Sequence, residues 1–351
     1  MEFPALLMSS RIPSDSKIED FDAVVVDGRP LVVCVDSYGQ HALTWDPADD
    51  RWTEHQLANP WGPNGDIETN CLLTIGAVVH DGRIVVGGGG YEQPFAQWDL
   101  QTGAVVTYAR EEHGGVAVTS TMRRDGRAVF VTGDSSAGSP VRLWDPSQRD
   151  SLTAYEDDWF GINYLAEPAT VCRHRDSIGG LASATLRGRP VVISSGAGEV
   201  MVSDVDSMTS VVTFEPIPVP LEGPAGGVGL TSVDGHPFVV AADGTSVLLG
   251  EPDTGSWVDR IELPGAADGR GDARILCMGV GSAGDRPVAV TGASDGLVCL
   301  WDLRGRRLLG NPITEHEGEV RAVHLTEIDG RAIALTAGWD RRMRVWDLGR
   351  A

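Results

Sequence analysis

Short apolar runs separated by tight-turn residues recur from one end of the chain to the other. Pro30–Val35, Arg189–Ile193, Pro237–Ala241 and Pro287–Thr291 are rich in Val, Ile and other strand-favouring residues and too short for helices, so they read as buried strands. Each follows a turn of one kind: Asp27-Gly28-Arg29, Asp81-Gly82-Arg83, Asp125-Gly126-Arg127, Arg187-Gly188-Arg189, Asp234-Gly235-His236, Gly284-Asp285-Arg286 and Asp329-Gly330-Arg331. Asp-Gly between apolar runs predicts a two-residue hairpin, because the turn needs positive φ and glycine adopts it without steric penalty. A second turn, a strand ending in Trp-Asp, a third turn with glycine such as Asp99–Gly103, and a more polar strand such as Ala104–Ala109 complete the unit. The four strands are designated a to d, from the centre outward. No window sustains a helical apolar period, so almost no helix is expected.

The units close at Trp45-Asp46, Trp98-Asp99, Trp144-Asp145, Ser203-Asp204, Gly250-Glu251, Trp301-Asp302 and Trp346-Asp347, so five copies keep the Trp-Asp pair and two have drifted. These motifs and their period resemble the WD-repeat β-propeller family. The resemblance covers the whole chain. It implies an all-β fold, a single seven-bladed β-propeller over residues 1–351 with four-stranded antiparallel blades. The last repeat stops after its third strand at Leu348, while Phe3–Met8 is an apolar segment without a unit of its own. Residues 1–10 are therefore predicted to supply the outer strand of the last blade and close the ring.

The resemblance also implies a hydrogen-bonded network of His, Ser or Thr, Asp and Trp inside each blade. His316, Thr336, Asp340 and Trp346 make a complete set in the last blade. The sixth has Thr291, Asp295 and Trp301, with Gly271 at the histidine position, and the fourth has His174 but Ser203 in place of tryptophan. Where members are missing, water or other side chains are expected to replace them, since a buried indole N–H without a partner costs about 1–3 kcal/mol.

Glycine supplies 44 of 351 residues, as three tight turns per unit require. Fifty acidic and 28 basic residues leave a net charge of −22, which repels nucleic-acid phosphate and anionic lipid and favours a basic partner. The five cysteines, Cys34, Cys71, Cys172, Cys277 and Cys299, mostly sit in apolar strand sequence and read as core residues rather than a disulfide set. The first residues lack a basic leader and no apolar run is long enough to span a membrane, so a cytoplasmic, monomeric protein is expected.

Enzyme-like spellings do not carry their context. Gly279–Gly284 spells G-x-G-x-x-G and Gly292–Gly296 spells G-x-S-x-G, but each needs a following helix where the pattern places a strand. Arg270-Gly271-Asp272 is an adhesion tripeptide by spelling only. The histidines are dispersed and no metal-binding spacing occurs, so neither cofactor nor metal is expected.

Irregular loops are more informative. Leu57–Asp66 lengthens the d-to-a connection between blades one and two, and Asp150–Pro168 is taken as the d-to-a connection between blades three and four. The b-to-c turns Gly87–Pro94 and Gly133–Pro140 are also enlarged. Such loops would gather Trp61, Tyr91, Trp159, Phe160 and Tyr164 with Asp157 and Asp158 on one face, beside Trp339 and Arg341 of blade seven. Aromatics next to carboxylates suit an interface hot spot or a cationic ligand; the plainer alternative is a structural cap. The leading functional expectation is a non-catalytic WD-repeat scaffold or adaptor that binds a protein or peptide on that face. The alternatives are an enzyme or small-molecule binder with a composite site at the channel mouth, and a sensory propeller controlling another enzyme.

Overall fold

The computed structural model describes residues 4–36, 41–60, 72–90, 93–109, 115–135, 138–146, 168–196, 198–214, 227–263, 273–328 and 330–350. Among these every regular element is a strand, and the strands form seven four-stranded antiparallel sheets, the blades of a seven-bladed β-propeller. After β1 (Ala5–Arg11), blade one is β2 (Ile18–Val26), β3 (Arg29–Asp36), β4 (His41–Asp46) and β5 (Arg51–Gln56). Blade two is β6 (Thr74–His80), β7 (Arg83–Gly89), β8 (Ala96–Asp99) and β9 (Val105–Tyr108). Blade three is β10 (Val116–Arg124), β11 (Arg127–Asp134), β12 (Pro140–Trp144) and β13 (Ala169–Arg173). Blade four is β14 (Gly180–Leu186), β15 (Arg189–Gly196), β16 (Glu199–Asp204) and β17 (Thr209–Thr213). Blade five is β18 (Val228–Val233), β19 (His236–Asp243), β20 (Ser246–Glu251) and β21 (Ser256–Glu262). Blade six is β22 (Ile275–Ala283), β23 (Arg286–Ala293), β24 (Val298–Asp302) and the short β25 (Arg307–Leu308). Blade seven is β26 (Val320–Ile328), β27 (Arg331–Gly338) and β28 (Arg342–Arg350), with β1 as its fourth strand.

That fourth strand is the expected one. Ala5 pairs with Asp347, Leu6 with Trp346 and Arg11 with Arg342, with a bulge between Leu6 and Met8. The hairpin turns also follow the sequence. Asp27 and Gly28 have φ of 51° and 78°, and Asp81–Gly82, Asp125–Gly126, Arg187–Gly188 and Asp234–Gly235 repeat this pair of positive values. Two left-handed residues in succession make the primed turn that matches strand twist.

The spacing between the Asp-Gly-Arg turn and Trp-Asp has a physical basis beyond the turn itself. The arginine that opens strand b reaches the aspartate that closes strand c of the same blade: Arg29–Asp46 at 3.8 Å, Arg83–Asp99 at 3.3 Å, Arg127–Asp145 at 3.7 Å, Arg189–Asp204 at 3.6 Å, and Arg331–Asp347. The carboxylate then accepts backbone N–H groups of the c-to-d turn, as Asp99 does from Thr102 at 3.0 Å and Asp302 from Gly305 at 2.8 Å. The guanidiniums are largely exposed, so the pairs orient the turn more than they stabilise the fold.

Contacts divide the chain into two compact units, Asp20–Ser177 and Met1–Glu19 with Ile178–Ala351. In the first, Val33, Val35, Leu57, Val86 and Trp98 share one core, and Phe95, Phe130 and Trp144 another. In the second, successive blades bury Ile193 with Leu248, Leu249 with Trp301, and Leu300 with Trp346. Cys34, Cys172 and Cys299 are buried and not disulfide-bonded, as expected; Cys71 lies outside the described residues.

One connection differs from expectation. The long insertion after blade three joins β12 to β13, strands c and d of the same sheet, rather than d of one blade to a of the next. Strand d returns only at Ala169, and the d-to-a connection is the short stretch from His174 to Gly179.

Candidate functional site

The blade-seven network forms as the residue pattern implies. Trp346 Nε1–H donates to Thr336 Oγ1 at 2.9 Å, and Thr336 lies 2.8 Å from His316 Nε2. His316 Nδ1 lies 3.1 Å from both oxygens of Asp340. Thr336 Oγ1 accepts the indole proton and shares a second hydrogen bond with Nε2, so Trp346, Thr336, His316 and Asp340 form one continuous chain. Sequence reasoning missed a fifth member. Arg344 is buried, donates from Nη1 to Asp340 at 2.6 Å and from Nη2 to the Glu315 carbonyl at 2.5 Å. Burial, with the guanidinium 2.7 Å from Nδ1, lowers the His316 pKa against the pull of Asp340. Burial also opposes ionisation of Asp340, but His316 and Arg344 outweigh it and hold that carboxyl down at about 2.

Other blades satisfy the tryptophan in one of two ways. Trp301 donates to Thr291 at 2.9 Å and Trp144 to Thr132 at 2.9 Å. Trp45 instead donates to Asp50 at 2.9 Å, and Trp98 to the Ala58 carbonyl at 2.8 Å. The expected replacement of missing partners is thus made by other protein groups. His174, whose backbone N–H donates to the Ser139 carbonyl at 2.8 Å, is buried, and burial pushes its pKa down to about 4.

Of the residues expected to form a binding face, Trp61, Tyr91, Asp157, Asp158, Trp159, Phe160 and Tyr164 lie outside the described residues. Their flanking strands are described. Connections d-to-a and b-to-c meet at one end of the sheets, where Leu73 N–H donates to Gly89 O at 2.9 Å and Val116 N–H to Gly90 O at 2.8 Å. The stretches holding Trp61 and Tyr91 leave from that end. The stretch holding residues 157–164 leaves β12 and enters β13 at the opposite end, with the a-to-b turns. Trp339 and Arg341 are engaged by the β1–β2 connector. Lys17 Nζ stands 3.7 Å from the centre of the Trp339 ring, with the Arg321 guanidinium 5.6 Å away. Arg341 pairs with Asp15 at 2.8 Å, and its carbonyl accepts Ile12 N–H at 3.1 Å.

Carboxylates on first and second strands form a further set that the sequence reading passed over. Asp20 accepts Thr74 Oγ1–H at 2.8 Å and Ile75 N–H at 3.0 Å, while Thr74 Oγ1 accepts Thr119 N–H at 2.8 Å, linking the first strands of blades one, two and three. Asp22 extends the link to Ala77 N–H at 2.9 Å. Asp36 pairs with His41 at 3.2 Å, Asp134 with Arg142 at 2.6 Å and Asp243 with Arg260 at 2.6 Å. The hydrogen bond to Asp36 raises the His41 pKa. Burial pushes Asp134 up to about 6 despite Arg142.

Burial likewise raises Asp20 to about 7, against the hydrogen bonds from Ile75, Thr74 and Phe21. An acid whose pKa is higher folded than unfolded binds its proton more tightly in the native state. Stability therefore falls as pH rises from about 4 to about 7 and levels above that. Asp20→Asn is expected to remove this component. Urea unfolding at pH 5 and pH 8 should show wild type losing about 2 kcal/mol more than the variant, after allowance for the partial exposure of Asp20. Equal losses would mean that Asp20 titrates normally.

Gly279–Gly284 lies in β22 and its turn, and Gly292–Gly296 spans the end of β23 and the turn to β24, so neither opens a helix. Arg270–Asp272 lies outside the described residues. Among the described residues no group of three or more His, Cys, Asp or Glu is placed to hold a metal ion, and no helix is long and apolar enough to cross a membrane. Neither the protein-family models nor the curated proteins compared with the chain match it.

Proposed function

We propose that the chain is a WD-repeat propeller that acts as a non-catalytic scaffold or adaptor, docking a protein or peptide on one face. The observation that supports this reading most is the occupation of its polar side chains. His316, Thr336 and Asp340 bond to one another and to Trp346, His41 bonds to Asp36, and His55 lies 2.9 Å from Thr44, each within its own blade. These histidines and carboxylates are engaged in holding strands. The net charge of −22 favours a basic partner and the same charge disfavours nucleic acid and anionic membrane.

Two aromatic sets flank opposite strand ends, so the two faces can be tested separately. Trp61→Ala with Tyr91→Ala addresses the d-to-a and b-to-c end, and Trp159→Ala with Phe160→Ala the other. Affinity capture from lysate at low and moderate salt is expected to lose one protein with one double variant and keep it with the other, both variants retaining the wild-type melting temperature. Equal capture by all three proteins would sink the docking reading. A lowered melting temperature in either variant would identify that aromatic pair as a structural cap.

A further inference from the structure

Of the 28 basic residues in the chain, Lys17 is the only lysine; all the others are arginine. A guanidinium does not take up acyl groups near neutral pH, so Lys17 is the one side chain whose positive charge acylation can remove. Its place in the fold is particular. It lies on the strap of residues 12–17 that connects β1 to β2, and its side chain is exposed.

The strap is pinned at three points to the turn between β27 and β28 of blade seven. Ile12 N–H donates to the Arg341 carbonyl at 3.1 Å. Arg341 Nη1 donates to the Asp15 carbonyl at 3.1 Å and to its carboxylate at 2.8 Å. Lys17 Nζ stands 3.7 Å from the centre of the Trp339 ring. Just past the strap, Glu19 pairs with Arg321 at 3.5 Å. Only the pin at Trp339 depends on an amine. The attraction is between a full positive charge and the ring quadrupole, so a neutral amide in its place forfeits it.

We propose that Lys17 is an acylation site and that its charge is the latch holding the strap on Trp339. In the step, the free-amine form of Nζ attacks the carbonyl carbon of an acyl thioester. The N–C bond forms, the C–S bond breaks, and the proton released from nitrogen ends on the departing thiolate. The acylated strap keeps its pins at Ile12 and Asp15 and loses the one at Trp339, so it lifts more often. An amine seated on the ring must also leave it to react, and Trp339 therefore slows the modification that undoes the latch.

The test treats the full chain with acetyl-coenzyme A at pH 8 and reads two quantities, acetyl uptake by peptide mass and hydrogen exchange of the Ile12 amide by NMR. Wild type is expected to gain one acetyl group at residue 17 that Lys17→Arg does not take up. The Ile12 amide should then exchange about three- to fivefold faster, as the loss of one exposed cation–π contact predicts. Lys17→Gln should reproduce that acceleration without reagent, and Lys17→Arg should exchange as wild type does. Trp339→Leu should be acetylated about three- to fivefold faster than wild type, with no further change in Ile12 exchange on acetylation. Unchanged Ile12 exchange in both acetylated wild type and Lys17→Gln would overturn the latch. The same acceleration on acetylation in Trp339→Leu would overturn it too, because the charge would then be acting elsewhere than on the ring. A Lys17 that stays unmodified in wild type and in Trp339→Leu would overturn the acylation site.

Discussion

Asp340→Ala is expected to lower the unfolding free energy by about 3–5 kcal/mol. The side chains of Asp340 and Arg344 are 4% and 5% exposed, and the guanidinium nitrogen lies 2.6 Å from the carboxylate. Removing the carboxylate leaves a buried cation without a counter-charge, and takes away a partner of His316 Nδ1. The desolvation of Arg344 is then uncompensated. Asp340→Ala with Arg344→Met should recover most of the loss, because the unpaired charge is gone as well. The same carboxyl sets an acid limit. Its folded pKa of about 2 lies below the ordinary value near 3.9, so its contribution is present above pH 4 and is lost as pH falls toward 2. Urea unfolding of the wild type, the single and the double variant at pH 7 measures the loss and its recovery, and the wild type followed from pH 5 to pH 2 measures the acid limit. A single variant within 1 kcal/mol of wild type would show that water replaces the carboxylate.

Deleting residues 1–11 is expected to destabilise the protein by about 4–6 kcal/mol and to make it associate. Six positions of β1 pair with β28, and each ladder hydrogen bond contributes on the order of 1 kcal/mol net. Without β1, the long strand β28 from Arg342 to Arg350 presents an unpaired edge, which is a template for another chain. Size-exclusion chromatography should show higher-order species that a peptide of residues 3–12 reverses by adding back the missing strand. A truncated protein that stays monomeric and melts with wild type would show that β28 needs no fourth strand.

The blades were legible because their turns are chemically constrained. Asp27–Gly28 and its four close relatives need two positive φ values, and that need restricts the residues to a few types. β1 was legible as an apolar run without a repeat of its own. The insertion after blade three was misplaced for an equally physical reason. Ala169–Arg173 follows the preceding strand by more than twenty residues, and a fourth strand so detached carries no turn signal tying it to its own sheet. Arg344 was missed because a charged residue in a strand reads as facing solvent, and only the proximity of Asp340 and His316 makes it an interior residue. The difference between blades six and seven was half visible. Gly271 marked the missing imidazole, but the replacement of Arg344 by Cys299 at the matching position required the strand register.

The choice of acceptor for each tryptophan decides which repeats are portable. Blades three, six and seven hold the indole with a threonine of their own second strand, so a duplicated copy of any of them would bring its indole's acceptor with it. Blade two is different. Trp98 is anchored on Ala58, in the connector from blade one, and Asp20 of blade one holds Thr74 at the start of blade two. Moved to another place in a propeller, blade two would leave both partners behind, whereas blades one and two transplanted together would keep them. Thr119 of blade three bonds in turn to Thr74, so blades one to three form one linked block, and grafting or swapping of blades has its natural cut points outside that block rather than within it.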